Sequence, residues 1–123
     1  MEELKIIPVT TRKDRKEFVE YPLRIYKGNP YFVPPFYADE MDLFTDKNIY
    51  NETCDSAFFL AKRGKKTVGR IQGIIQRQYN ENHGTTQSRF TRFDCEDCQE
   101  TATALFAAVE AWARWAVPKA SLQ

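Results

Sequence analysis

Two apolar runs, Ala57-Phe58-Phe59-Leu60-Ala61 and then Val68, Ile71, Ile74 and Ile75 within 67–79, stand on either side of the polar stretch Arg63-Gly64-Lys65-Lys66. Aromatic and β-branched residues on both sides of a short glycine turn describe a β-hairpin. A hairpin of that length needs more strands and a covering layer to bury its apolar face. The chain must therefore supply an antiparallel sheet and the helices that pack on it.

The flanking sequence has the material for both. Leu4, Ile6, Ile7 and Val9 predict a first strand, with Pro8 marking an edge or a strand end. Thr10 or Thr11 then caps a helix beginning at Arg12, whose apolar face is Phe18, Tyr21, Ile25 and Tyr26. Pro22 is expected to kink or restart that helix, and Lys27-Gly28-Asn29-Pro30 to end it. Beyond the prolines of Tyr31-Phe32-Val33-Pro34-Pro35-Phe36, a short second helix is expected in 37–44, followed by a polar loop over 45–53. The hairpin leads into a turn-rich connection at 80–86 and a further strand, called strand four, over 88–95. Asp97 with Glu100 resembles a capping box, and Leu105, Val109, Trp112 and Ala116 trace one face of a final helix ending near Pro118. The expectation is a single α+β domain over 1–123, a mainly antiparallel sheet of about four strands with helices on its faces in the order β-α-α-β-β-β-α.

Composition excludes several functions. Eighteen lysines and arginines against seventeen aspartates and glutamates leave no overall field to draw the chain onto nucleic acid or a membrane surface. No run of about 18 apolar residues occurs, and MEELKIIPVT lacks the basic-then-apolar pattern of a signal peptide, so a cytoplasmic protein is expected. Three cysteines, Cys54, Cys95 and Cys98, fit reduced thiols better than a disulfide framework.

The text of the hairpin, Phe58-Phe59-Leu60-Ala61, Gly64 and Val68-Gly69-Arg70-Ile71, resembles that of the GNAT (N-acetyltransferase) superfamily. Tyr26-Lys27-Gly28-Asn29-Pro30-Tyr31-Phe32-Val33-Pro34-Pro35 resembles the front of bacterial GNAT-like proteins of mostly unassigned function. The resemblance covers the first two thirds or so of such a domain, so the C-terminal strands of the full fold, strand five first among them, are expected to be lacking. It implies a partial GNAT-like fold and, if the chain is active, an acetyl-CoA-dependent N-acetyltransferase. The cofactor would pair its pantetheine arm with strand four and rest its diphosphate on amides opening the next helix, a position that a helix N-terminus favours for anions. The superfamily pattern there, Gln/Arg-x-x-Gly-x-Gly/Ala, maps onto Gln99, Thr101, Ala102, Thr103 and Ala104, with Ala102 where glycine is expected. Asp94, Glu96, Asp97 and Glu100 place four carboxylates beside it, which either oppose a diphosphate or cap the helix.

Other chemistry has less in its favour. Cys95-Glu96-Asp97-Cys98 is a C-x-x-C at a helix start, but its acids should raise the thiol pKa. Zinc would need further ligands, and Cys54 and His83 stand at no recognised spacing, so no metal is expected. His83 sits in turn-like sequence and reads as solvated. A base for acyl transfer could come from Glu81, Glu96 or Asp94, which spacing does not separate, so no catalytic residue is assigned. The cluster Tyr26, Tyr31, Phe32, Phe36 and Tyr37 lines an acceptor cleft for a small amine or forms a packed loop. Arg70, Arg77, Arg89 and Arg92 read, with Gln72, Gln76 and Gln78, as a solvated sheet face. The alternative to an acyltransferase is a non-catalytic GNAT-like remnant that serves as a structural or interaction module. An exposed edge at strand four predicts a homodimer, with Phe106, Trp112 and Trp115 shared between sheet and dimer contact.

Overall fold

The computed structural model describes residues 3–45, 54–85 and 87–121, with side chains placed as far as residue 116. Four strands, β1 (Leu4–Pro8), β2 (Cys54–Arg63), β3 (Lys66–Gln76) and β4 (Arg89–Cys95), form one antiparallel sheet in the order β1-β2-β3-β4. The helices are α1 (Arg12–Ile25), α2 (Tyr37–Met41) with a 3₁₀ turn over Asp42–Phe44, α3 (Arg77–His83) and α4 (Gln99–Ser121). The expected α+β class and strand order are those observed, with α3 added. Most of the expected 45–53 loop, from residue 46 on, and Thr86 of the 80–86 connection lie outside the described residues.

The hairpin forms where the sequence placed it. Gly64 takes φ 61° in the two-residue loop between β2 and β3, a value only glycine adopts without strain. Pairing Phe59 with Ile71 and Leu60 with Arg70 sends alternate residues to opposite faces. On one face α4 closes a core of Ala61, Val68, Ile71, Leu105 and Val109, with Leu4, Ile6, Phe59, Phe93 and Trp112 packed against it. Gly69 and Gly73 let the helix approach: a Cβ on Gly69 would stand 2.8 Å from Leu105 Cδ1. The other face is covered by α1 and the α2 region, with Phe18 set edge-on to Phe58 and Phe44 at centroid distances of 5.3 and 5.9 Å.

Three expectations need correcting. Pro22 does not restart α1; the helix runs unbroken through it from the capping box of Thr11 and Asp14. The segment expected as the end of a strand and a turn, 77–83, is a helix, with Gly84 at φ 61° ending it. The last helix runs past Pro118 to Ser121, and it starts at Gln99, so Cys98 rather than Asp97 stands at the cap.

Candidate functional site at the edge strand

β4 is the last strand of the sheet, and only its β3-facing side is paired among the described residues. Its ladder is broken by a bulge. Gln72 pairs with Thr91 and Arg70 with Asp94, so Arg92 and Phe93 both stand against Ile71. Arg92 has φ 49°, the sole positive value at a non-glycine among the described residues. Such a conformation costs an L-residue about 1–2 kcal/mol and persists only where the surroundings impose it.

The guanidinium of Arg92 is held from two other elements. Arg92 donates from Nε and Nη2 to the two oxygens of Glu40, at 2.9 and 3.0 Å, and from Nη1 to Oε1 of Gln72 at 2.9 Å. Glu40 comes from α2 and is buried; Gln72 is 2 % exposed and donates its Nε2 to Ser56 Oγ at 3.4 Å. A bidentate pair of this kind fixes orientation as well as adding energy.

Two residues on, Asp94 lies on the same face. It accepts Nε of Arg70 at 3.0 Å and the phenol of Tyr26 at 2.7 Å. Arg70 is 5 % exposed, lies over the Phe18 ring at 4.9 Å and donates Nη1 to the Phe18 carbonyl at 2.8 Å. That last bond explains why α1 tolerates Pro22. In a regular helix the Phe18 carbonyl would accept the N–H of residue 22, which proline lacks. Arg70 supplies the missing donor from the sheet. The acceptance by Asp94 raises the Tyr26 phenol above its ordinary pKa, and burial pushes Tyr21, on the same helix, up to about 12. Two arginines and two carboxylates thus balance within a polar layer beneath α1 and α2.

The junction of β4 and α4 holds a second cluster. Glu96 closes the ladder by donating its N–H to the Val68 carbonyl at 2.8 Å, while its carboxylate accepts the Thr101 hydroxyl at 2.6 Å and Arg63 Nε at 3.0 Å. The Thr101 hydroxyl, then Arg63, hold the Glu96 carboxyl below its usual range. Arg63 also approaches Glu100 at 3.8 Å and the Cys98 sulfur at 3.6 Å. Three of the four carboxylates thought to repel an anion are therefore paired with arginines; Asp97 is exposed.

The two cysteines of the C-x-x-C diverge. The Thr101 N–H, then its hydroxyl, lower the Cys98 thiol, with the Glu100 N–H and Arg63 adding to them; burial, then Glu96, raises Cys95. The expectation that acids would raise the thiols holds for Cys95 and fails for Cys98, where helix-start donors outweigh them. Near neutral pH, iodoacetamide is expected to modify Cys98 well ahead of Cys95, with a rate profile titrating below the ordinary thiol range. Peptide mass spectrometry over a pH series checks this; equal rates would contradict it.

The residues mapped to the diphosphate pattern are dispersed in role. Gln99 is exposed and donates Nε2 to Thr103 Oγ1 at 3.1 Å. Thr101 is fully buried, Ala102 donates its N–H to the Cys98 carbonyl at 3.2 Å, and Ala102 and Ala104 are half-buried. His83 is exposed, its ring stacked on Tyr79 at 4.1 Å and its Nδ1 2.9 Å from the Tyr79 carbonyl oxygen. Of the aromatic cluster, Tyr26 stacks on Phe32 at 4.9 Å, whereas Tyr31, Phe36 and Tyr37 are exposed, Tyr37 donating its phenol to Glu20 at 3.1 Å. Arg70, Gln72 and Arg92 do not form a solvated strip with Arg77 and Arg89; they are the polar layer under α1 and α2. The missed signal was an invariant of helix geometry: a proline at position 22 leaves an acceptor at position 18 that some donor must fill. Among the described residues no group of three or more His, Cys, Asp and Glu could hold a metal ion, and no helix is long and apolar enough to cross a membrane.

Comparison with known proteins gives two informative likenesses. The chain is 32% identical over 114 residues to the bacterial ceramide synthase of Caulobacter vibrioides, covering 91% of this chain and 30% of that protein. It is 29% identical over 101 residues to protein YghO of Escherichia coli, covering 82% of this chain and 26% of that one. The chain thus spans between a quarter and a third of the length of these relatives. No family model matches, and no solved structure matches.

Proposed function

We propose that this chain is the front part of a GNAT-like acyl-CoA-dependent N-acyltransferase that joins a fatty acyl group to a long-chain amine. The likeness to a bacterial ceramide synthase across 91% of this chain carries the reading. A ceramide is an N-acylated long-chain amine, so its synthesis joins an amine to a carboxyl carbon. The amine nitrogen attacks the thioester carbonyl, the C–S bond breaks, and the proton lost by nitrogen ends on the departing thiolate.

The residues fit one half of acyl-CoA. The outer edge of β4, with its bulge at Arg92 and Phe93, offers backbone donors and acceptors suited to an amide-bearing pantetheine arm. The start of α4 suits a diphosphate less well, because Cys98 already takes the Glu100 and Thr101 N–H groups and Ala102 replaces glycine. Gln99, Thr103 and Ala104 remain as neighbours for that end. The paired Tyr26 and Asp94, with Phe32 stacked on Tyr26 and with Tyr31 and Phe36 exposed in the same segment, favour the α1–α2 side for the amine and its hydrocarbon chain. Glu96, held below the usual carboxylate range, is a poor proton acceptor, which sets it aside as the base. The reading puts the chain in the cytoplasm, where Cys54, Cys95 and Cys98 stay reduced.

Incubation with palmitoyl-CoA and a long-chain amino alcohol is expected to give the amide by mass spectrometry, with stoichiometric release of free CoA thiol. Unchanged thioester after many hours with excess protein would sink the reading. A second copy of the chain is the competing occupant of the β4 edge, favoured by the half-exposed Phe90 on it. A dimer mass in sedimentation equilibrium, dispersed by a charged residue at position 90, supports that pairing; a monomer at every concentration removes it.

A further inference from the structure

Arg92, in the bulge of β4, is bound by a side chain from a different layer of the fold. We infer that Glu40 and Arg92 act as a clasp: the carboxylate from α2 keeps Arg92 in its left-handed conformation, and so sets the course of the open β4 edge along which an acyl-thioester arm seats. The seating rests on the acyltransferase reading given above; the clasp itself does not.

Three observations converge on it. Arg92 is the sole non-glycine with positive φ among the described residues, and it lies within the bulge of the edge strand. Its guanidinium is bound by both oxygens of a buried carboxylate and by a buried Gln72. An arginine gains nothing from a left-handed backbone, so the conformation is maintained by what its side chain binds. The elements so tied are the edge strand and the short helix that follows the aromatic segment, which the reading assigns to thioester and amine respectively. Glu40 and Arg92 are positioning residues in this account, acting through the backbone of β4.

Glycine separates this role from simple charge pairing, because it adopts positive φ unaided. The double variants E40A/R92G and E40A/R92A both delete the ion pair, and they differ in what residue 92 tolerates. E40A/R92G is expected to keep the cross-strand contacts of Gln72 with Thr91 and of Arg70 with Asp94 in NMR spectra, and to bind palmitoyl-CoA within about threefold of the unaltered chain. E40A/R92A is expected to lose the double opposition to Ile71 and to bind about tenfold more weakly or worse. Indistinguishable spectra and affinities for the two doubles would overturn the clasp. Failure of the unaltered chain to bind palmitoyl-CoA would remove the seating together with the reading it rests on, while the NMR comparison would still decide whether the pair holds the bulge.

Discussion

Replacing Asp94 with alanine is expected to destabilise the fold by about 3–5 kcal/mol, because it leaves the Arg70 guanidinium buried without its carboxylate. Arg70 Nε, on a side chain only 5 % exposed, would lose its acceptor, and the half-buried Tyr26 phenol would lose the same one. For a chain this size the loss corresponds to a fall in Tm of about 10–20 °C. The ion pair itself contributes far less than its breakage costs, so Arg70→Met combined with Asp94→Ala should recover most of the loss. Recovery should stay incomplete by about 1–3 kcal/mol, since methionine cannot serve the Phe18 carbonyl. Pro22→Ala restores an N–H to that carbonyl, so it should stabilise the double variant, whereas in the native chain the new N–H competes with Arg70. Thermal melts of the series check the sign. A double variant as unstable as Asp94→Ala alone would show that the Arg70 charge is not the source of the cost.

Phe18→Ala is expected to cost a further comparable amount, about 3–5 kcal/mol, by a different route. Its ring has no exposure and is the common neighbour of Phe44, Phe58 and the Arg70 guanidinium. Truncation leaves a void between α1 and the sheet and uncovers the plane of a buried arginine. Phe18→Leu fills part of that space and should cost roughly half as much. Denaturant unfolding measures both; a loss below about 1 kcal/mol for the alanine variant would mean that α1 collapses onto the sheet more freely than its packing indicates.

These two residues also mark where the sequence was legible. The hairpin was, because its determinants are local: Gly64 between runs whose alternate residues must share a face. The start of α1 was, for the same reason: Thr10 or Thr11 was expected as its cap, and Thr11 is. The polar layer was not. Alternation in β3 tells that Arg70 and Gln72 share a face, but whether that face meets water depends on α1 and α2, which arrive from some thirty to sixty residues away. Arg92 looked like a surface arginine because nothing in its neighbours announces a left-handed backbone. The α3 segment Arg77–His83 carries no apolar period, so it read as the end of a strand and then a turn. The cap of α4 shifted by one residue because a cysteine sulfur, rather than the expected aspartate, accepts the first-turn N–H groups.

The electrostatics of the β4–α4 junction were half legible. Counting four carboxylates there was right, but their partners Arg63 and Arg70 lie on other strands, and pairing with them removes most of the repulsion that the count implied. What argues against a complete diphosphate site is instead the occupation of the helix-start amides by Cys98. That observation shifts the weight of cofactor binding to the open edge of β4.

Isothermal titration of palmitoyl-CoA into the chain, with free CoA titrated in parallel, decides whether this fold takes an acyl-CoA along its β4 edge. Saturable micromolar binding of palmitoyl-CoA and markedly weaker binding of CoA are expected, since edge and hydrocarbon contacts outweigh the diphosphate. No heat with palmitoyl-CoA at concentrations short of micelle formation, or binding carried by CoA alone, would contradict that expectation.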